Sequence, residues 1–282
     1  MNETMPTKAV ILARGLGTRM RRAADVDLDE DQRRAAELGL KAMMPVGLGD
    51  TSQRGLPARP FLDHVISELA DAGLTDICLV IGPEHDLVRD YYAALDLSRV
   101  RISFAVQVEA LGTADAVRAA RGFAGGDRFV MVNADNFYPA EAVRALLRAP
   151  GTATVGFDAA AMVSRSNIPA DRIAAFAILD TDAEGHLVDL IEKPSADVVA
   201  RFGPNARISM NCFLFGASIF NACDAITPSA RGEYEIVDAV RWLIAAGEPV
   251  TVVPVAEGVL DMSGRTDVPL VAAALASRPV LL

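Results

Sequence analysis

Residues 8–19 read Lys8-Ala9-Val10-Ile11-Leu12-Ala13-Arg14-Gly15-Leu16-Gly17-Thr18-Arg19. The apolar run Ala9–Leu12 has the length of a buried strand, and it breaks at once into a loop with two glycines, a hydroxyl and an arginine. Gly15 and Gly17 let the backbone turn tightly and bring amide N–H groups close to phosphate oxygens, while Arg19 carries a fixed, delocalised positive charge. An ordinary strand-to-helix turn has the same look. No Gly-Lys-Ser/Thr follows, so this is not a Walker loop. Met20 stands where the third glycine of the dinucleotide fingerprint would be.

Working outward, further short apolar runs read as buried strands: Ile77–Ile81, Ile102–Val106, Phe129–Val132 and Val250–Val255. Helix-period segments lie between the first four, at Phe61–Ala72, Glu84–Leu95 and Thr113–Arg121, and Pro139–Leu147 follows with proline at its start. Alternation of this kind implies parallel strands with helices on both faces. The second half breaks the rhythm. Short strands are expected at Arg172–Leu179 and Leu187–Ile191 around a polar turn, then at Ile208–Phe215, with helices at Ala217–Ala225, Glu233–Ala246 and Asp267–Ala276. The expected class is α/β: a Rossmann-like three-layer sandwich on a mixed, mostly parallel central sheet. Residues 1–282 are read as one domain of two halves, 8–150 and 151–282. The polar insertion Arg21–Leu40 reads as a lid or a solvated helix. No hexapeptide repeat points to an attached β-helix domain.

The 282 residues are 51% hydrophobic, enough for a large core, and carry a net charge of −10. That balance argues against non-specific binding of nucleic acid or an anionic membrane, but not against a phosphate substrate held by a local basic site. Cys78, Cys212 and Cys223 are scattered and odd in number, which suits buried thiols in a reducing compartment. The first residues lack the pattern of a signal peptide, and no apolar run approaches the ~18 residues of a membrane span. A cytoplasmic protein is expected.

Chemistry concentrates in a few places. Lys41-Ala42-Met43-Met44-Pro45 follows the insertion. Gln107 ends one strand, and Gly112-Thr113 opens the next helix, Thr113 being a natural N-cap. Asp135 and Asn136 end the strand Phe129–Val132, at the carboxyl edge where open α/β sheets bind ligands. A capping or solvated aspartate would look the same. Asp261 lies in Leu260-Asp261-Met262-Ser263-Gly264-Arg265-Thr266. Further along stand Glu192-Lys193-Pro194, Asn211 in Met210-Asn211-Cys212-Phe213, and Ser229-Ala230-Arg231-Gly232-Glu233-Tyr234-Glu235-Ile236-Val237-Asp238. Out of context these last read as solvated charge, a strand amide bonding to backbone, and a capped amphipathic helix start.

Together these elements resemble the sugar-1-phosphate nucleotidyltransferases, and glucose-1-phosphate thymidylyl- and uridylyltransferases in particular. They stand in the family's order over residues 8–275. The resemblance implies an Mg²⁺-dependent condensation of a nucleoside triphosphate, UTP or dTTP favoured, with a sugar-1-phosphate. It implies Arg19, Lys41 and Asp135 as catalytic residues, and Asp135 and Asp261 as metal ligands. It places Leu12, Ala13, Arg14, Gly15, Gly17, Thr18, Gln107, Gly112 and Thr113 on the nucleotide, with the Gln107 carboxamide reading the base by giving and accepting hydrogen bonds. It puts Asn136, Ala175, Glu192, Lys193 and Asn211 on the sugar phosphate. Relatives commonly oligomerise, which leaves a homo-oligomer open.

Departures from the family pattern keep other readings alive. Arg14 replaces a Gly or Ala, and either meets the nucleotide or points into solvent. Ala174-Ala175 replaces Tyr-Gly, so the sugar could be a modified sugar or a cyclitol phosphate. A silent regulatory relative is one alternative. A retaining glycosyltransferase using Asp180-Thr181-Asp182 is another. Asp267 is a fallback ligand should the extra Ser263 shift the register.

Overall fold

A computed structural model describes residues 5–15, 17–22, 24–46 and 58–282. Leu16 of the glycine loop and Ala23 of the insertion lie outside the described residues. The core is a ten-stranded mixed sheet. Its order runs Leu187–Ile191, Ile178–Thr181, Arg207–Ile208, Thr152–Asp158, Phe213–Phe215, Phe129–Asn133, Lys8–Leu12, Asp76–Ile81, Arg101–Val106, with Val250–Val255 lying parallel along Thr152–Asp158.

The apolar runs of the first half form strands buried on both faces, as parallel strands are. Side chains alternate. Ala9, Ile11, Ile77 and Leu79 enter one core, with the helices Phe61–Asp71, Ala140–Leu147 and Val268–Leu275. Val10, Cys78, Val80 and Met131 enter the other, with Thr113–Ala119, Ser218–Ala225 and Ile236–Ala245. Helices on both faces of one sheet make the three layers, and each large apolar side chain so buried contributes about 1.5–3 kcal/mol. The three cysteines are free and buried, and burial pushes the Cys78 and Cys223 thiols up to about 12.

The topology also places a crevice. Lys8–Leu12 pairs in parallel with Asp76–Ile81 on one side and with Phe129–Asn133 on the other. The chain builds outward on one side through Arg101–Val106, then returns across the first strand. Such a reversal opens a cleft at the carboxyl ends of the strands. The loop after Leu12, the Gly82–His85 turn, Gln107 and Asp135 all leave from that edge.

The second half differs from expectation in two places. Arg172–Leu179 is not a strand: Pro169 starts a single helical turn, Ala170–Ile173, and the strand begins only at Ile178. Ile208–Phe215 is broken into Arg207–Ile208 and Phe213–Phe215, because Asn211 adopts φ +54° and interrupts the ladder. Asp182 accepts hydrogen bonds from the N–H groups of Glu184 and His186, and Asp180 pairs with Arg201, so these two acids shape and flank a turn. The insertion contains the helix Glu30–Leu38, closed at its start by a reciprocal Asp29–Gln32 cap. It is docked rather than solvated all round: Ala35 and Ala36 are buried, and Gln32 Nε2 donates to the Pro45 carbonyl.

Candidate active site

A cavity of about 350 Å³ sits at the strand ends, within the range of small-molecule pockets. Leu12, Ala13, Arg14 and Gly15 form one wall, and Gln107, Gly112 and Thr113 another. Lys41, Asn133 and Asp135 also line it. Gly17, Thr18 and Arg19 do not line the cavity. Gly17, at φ +60°, is packed so tightly that a Cβ there would lie 2.2 Å from the Gly39 carbonyl oxygen. This contact seats the end of the insertion helix on the glycine loop. Thr18 and Arg19 open a helical turn beyond it, and Arg19 is exposed, with no side-chain partner among the described residues.

Arg14 folds along the cavity wall, its side chain only 10% exposed. Its guanidinium donates to the Gln107 carbonyl and to the Glu84 carboxylate, at 3.3 Å from Nε. His85 lies beside it, its Nδ1 accepting the Gly82 N–H at 3.1 Å. Burial, outweighing the Glu84 charge, holds the His85 pKa below its usual value. Glu84 and His85 were not anticipated from the sequence. Their place directly after the strand Asp76–Ile81, on the ligand-binding edge, is the signal that could have found them.

Gln107 is 4% exposed. Its Nε2 donates to the Gly112 carbonyl at 3.0 Å and to Asp115 Oδ2 at 2.9 Å, so both amide hydrogens are engaged and only its oxygen remains to accept. Gly112 has φ +104°, and a Cβ there would meet the Tyr234 backbone at 2.6 Å. Tyr234 N–H donates to the Leu111 carbonyl, and Ala114 N–H to the Tyr234 carbonyl. Thr113 does not cap its own helix. Its hydroxyl accepts the Ile236 N–H at 2.8 Å and caps the neighbouring helix Ile236–Ala245. The Ser229–Asp238 segment thus braces the Gln107–Thr113 wall from behind.

The two acids converge from segments far apart along the chain. Leu260–Asp261 pairs antiparallel with Asn136–Phe137, and Met262 N–H donates to the Asp135 carbonyl. Lys41 Nζ lies 3.0 Å from Asp135 Oδ2. Asp261 is 6% exposed, and burial, reinforced by the nearby Asp135 charge, raises its pKa. Its Oδ2 accepts from Asn136 Nδ2 at 3.2 Å, and its Oδ1 pairs with Arg172. Asn167 brackets its backbone, accepting the N–H and donating to the carbonyl, each at 2.8 Å. Asp267 accepts the Ser263 and Gly264 N–H groups, so it anchors a turn, and the extra Ser263 leaves Asp261 in place. A hard carboxylate on the cavity lining, Asp135, with a second, Asp261, on the strand paired beside it fits an ion such as Mg²⁺, which uses one or two carboxylates and takes its other oxygens from phosphates and water. No group of three or more metal-binding side chains occurs among the described residues.

The residues expected on the sugar phosphate lie apart from the cavity lining. Asn136 is buried and committed to Asp261 and the Tyr138 hydroxyl, which places it beneath the acids rather than open to a ligand. Glu192 and Lys193 are exposed just after the strand Leu187–Ile191, and Ala175 is exposed after the Ala170–Ile173 turn. Lys193 (φ +45°) and Asn211 (φ +54°) are the non-glycine residues with left-handed backbone among the described residues. Such conformations cluster at functional sites. Arg231 pairs with Glu235 at 2.6 Å, and Glu192 adds to the negative field around it.

Residues 56–257 match the family model described as Nucleotidyl transferase. A glucose-1-phosphate thymidylyltransferase of Streptomyces griseus is 32% identical over 250 residues, covering 86% of this chain and 59% of that protein. The low-salt glycan biosynthesis nucleotidyltransferase Agl11 of Haloferax volcanii is 27% identical over 85% of this chain and 58% of its own length. The chain therefore spans about six-tenths of those two relatives. The UTP–glucose-1-phosphate uridylyltransferase AglF of the same organism is 27% identical over 92% of this chain and 93% of that protein. A solved UDP-glucose pyrophosphorylase, complexed with UDP-glucose, superposes with a TM-score of 0.70 over 98% of this chain and 100% of its own, at 16% identity. At that identity the match speaks for the fold. No helix among the described residues is long and apolar enough to cross a membrane.

Proposed function

The chain belongs to the nucleotidyl transferase family, and we propose that it condenses a nucleoside triphosphate, UTP or dTTP, with a sugar-1-phosphate to give a nucleotide sugar and pyrophosphate. The observation that carries this reading is the convergence of Lys41 and Asp135 on a cavity walled by the glycine loop and by Gln107, with the strand of Asp261 paired beside Asp135.

An oxygen of the sugar phosphate attacks the α-phosphorus. The bond from that phosphorus to the oxygen bridging to the β-phosphate breaks, and pyrophosphate leaves with the electron pair. The nucleophile is already an anion near neutral pH, so no strong base is needed, and positioning and charge neutralisation provide the catalysis. Arg19 and Lys41 neutralise the departing pyrophosphate. Lys193 holds the incoming phosphate, with Glu192 on sugar hydroxyls. Asp135 and Asp261 would hold Mg²⁺, which supplies positive charge across the phosphate groups.

Base choice follows from Gln107. With both amide hydrogens spent, its oxygen accepts the N3–H of uracil or thymine. The same oxygen opposes the lone pair at N3 of cytosine or N1 of adenine. Ala175, together with the helical turn that replaces the expected strand before it, favours an altered sugar pocket, so a cyclitol phosphate belongs among the acceptors tried.

The test is pyrophosphate release with Mg²⁺ across the common triphosphates and a series of sugar-1-phosphates and cyclitol phosphates. Release with UTP or dTTP is expected. Release only with ATP, GTP or CTP overturns the base assignment, and silence from a folded protein that still binds triphosphate overturns the enzyme reading. Asp135→Asn is expected to lose about a hundredfold or more in kcat without unfolding. Near-normal turnover in that variant removes Asp135 from the metal.

A further inference from the structure

Arg172 stands where the sequence pattern suggested a strand residue. Pro169 starts the turn Ala170–Ile173, and the turn directs Arg172 toward the buried side of the site. One terminal nitrogen pairs with Asp261, and the other lies 3.2 Å from Asp267 Oδ1. Asp267 is itself fixed, its Oδ2 accepting the Ser263 N–H at 2.9 Å and the Gly264 N–H at 2.8 Å. A rigid carboxylate thus clamps the guanidinium against the carboxylate that the metal would use. Across the site, Lys41 does the same for Asp135 at 3.0 Å.

Each of the two acids is therefore matched by a cation from the chain. Counting Asp267, three carboxylates face two cations, so most of the negative charge is already neutralised before any ligand arrives. A divalent ion approaching such a site gains little from the carboxylates until the protein's own cations are drawn elsewhere. A triphosphate can do that, because its oxygens accept from guanidinium and ammonium groups as readily as carboxylates do.

We propose that Arg172 is the resident counter-cation of Asp261, that a divalent ion must displace it to reach that carboxylate, and that the ion consequently enters with the nucleotide rather than before it. The proposal rests on Asp135 and Asp261 being the metal carboxylates. Arg172 is then a positioning residue: it holds a buried carboxylate in place until the ion takes over. Its side chain is 27% exposed, so it has room to swing from Asp261 while Asp267 keeps hold of its other nitrogen.

The test uses the whole chain without nucleotide and Mn²⁺ as the probe, with free Mn²⁺ followed by electron paramagnetic resonance. Arg172→Met is expected to bind Mn²⁺ about tenfold more tightly than the natural protein, since the competing cation is gone. Affinity that is unchanged or weaker overturns the proposal. Adding Asp261→Asn to Arg172→Met separates the two ideas. If the double variant still binds tightly, the ion is not on Asp261 and the metal assignment itself falls. If Asp261→Asn abolishes binding while Arg172→Met binds like the natural protein, only the counter-cation falls. Should Arg172→Met fail to fold, Arg172→Gln keeps an amide donor for the two carboxylates while removing the positive charge. It is expected to tighten Mn²⁺ binding in the same direction by a smaller factor, and no tightening there overturns the proposal.

Discussion

Arg14 shows how much one side chain can leave open in a sequence. A long cation in a glycine loop reads equally as a ligand contact or as a solvated residue. The structure takes neither course fully: the guanidinium is nearly buried, tied to Glu84 and to the Gln107 carbonyl, and forms part of the cavity wall. It therefore couples the first loop to the backbone of the proposed base-reading residue. Replacing it with glycine frees that carbonyl and leaves space beside the nucleotide. Arg14→Gly is expected to weaken binding of UTP or dTTP by about tenfold, or about 1.4 kcal/mol, with a smaller change in kcat at saturation. Calorimetric titration checks this, and an unchanged affinity would mean that Arg14 only fills space. Glu84 escaped the sequence reading because nothing local distinguishes it from a solvated helix-start acid. Its partner is 70 residues away.

At the scale of elements, the loop Gln107–Thr113 depends on a segment more than a hundred residues downstream. Ser229–Asp238 carries a family-like spelling, but its use became visible only when Tyr234 and Ile236 were seen bonding to Leu111, Ala114 and Thr113. Gly112 is the contact point. Its φ of +104° and the closeness of the Tyr234 backbone both exclude a side chain. Gly112→Ala is expected to cost about 1–3 kcal/mol in urea denaturation and to raise the KM for the triphosphate more than it lowers kcat. A variant with natural stability and KM would show that the loop relaxes without loss. The misread strand at Arg172–Leu179 has a related cause. The unbroken apolar run 173–179 satisfies a buried-strand pattern, whereas Pro169 and the Asp261–Asp267 clamp on Arg172 favour a helical turn.

Across the whole molecule, the helix behind the cavity is held by a buried polar knot. Asp63 is 0% exposed and accepts from the hydroxyls of Tyr91 at 2.6 Å and Tyr92 at 2.9 Å and from Arg59 at 3.1 Å. Burial pushes its carboxyl up and these donors push it back, so the group is compensated rather than comfortable. The knot joins the helix Phe61–Asp71, whose Leu62 lines the cavity, to the helix Asp86–Ala93, which carries Val88 to the same wall. Removing the acid takes a buried acceptor from Arg59, from Tyr91 and from the buried Tyr92 hydroxyl. Asp63→Ala is expected to lower stability by about 3–5 kcal/mol in equilibrium denaturation. A loss below about 1 kcal/mol would mean that water or rearrangement satisfies the knot.

Much of the layered fold was legible along the chain. Apolar runs such as Ala9–Leu12 and Phe129–Val132 are long enough and buried enough to be strands in any context, and Gly15 and Asp135 follow their ends by local spacing. Period and punctuation are local properties, and local properties survive without a fold. Which acids meet, which cation sits on each, and how the Gln107 amide is oriented were not legible. Those depend on Leu260–Asp261 pairing with Asn136–Phe137, on Arg172 reaching Asp261 and Asp267, and on Asp115 and the Gly112 carbonyl taking both amide hydrogens. Charge pairing acts over a few ångströms in space, so these partners are set by packing between distant segments, and no spacing along the chain encodes that distance.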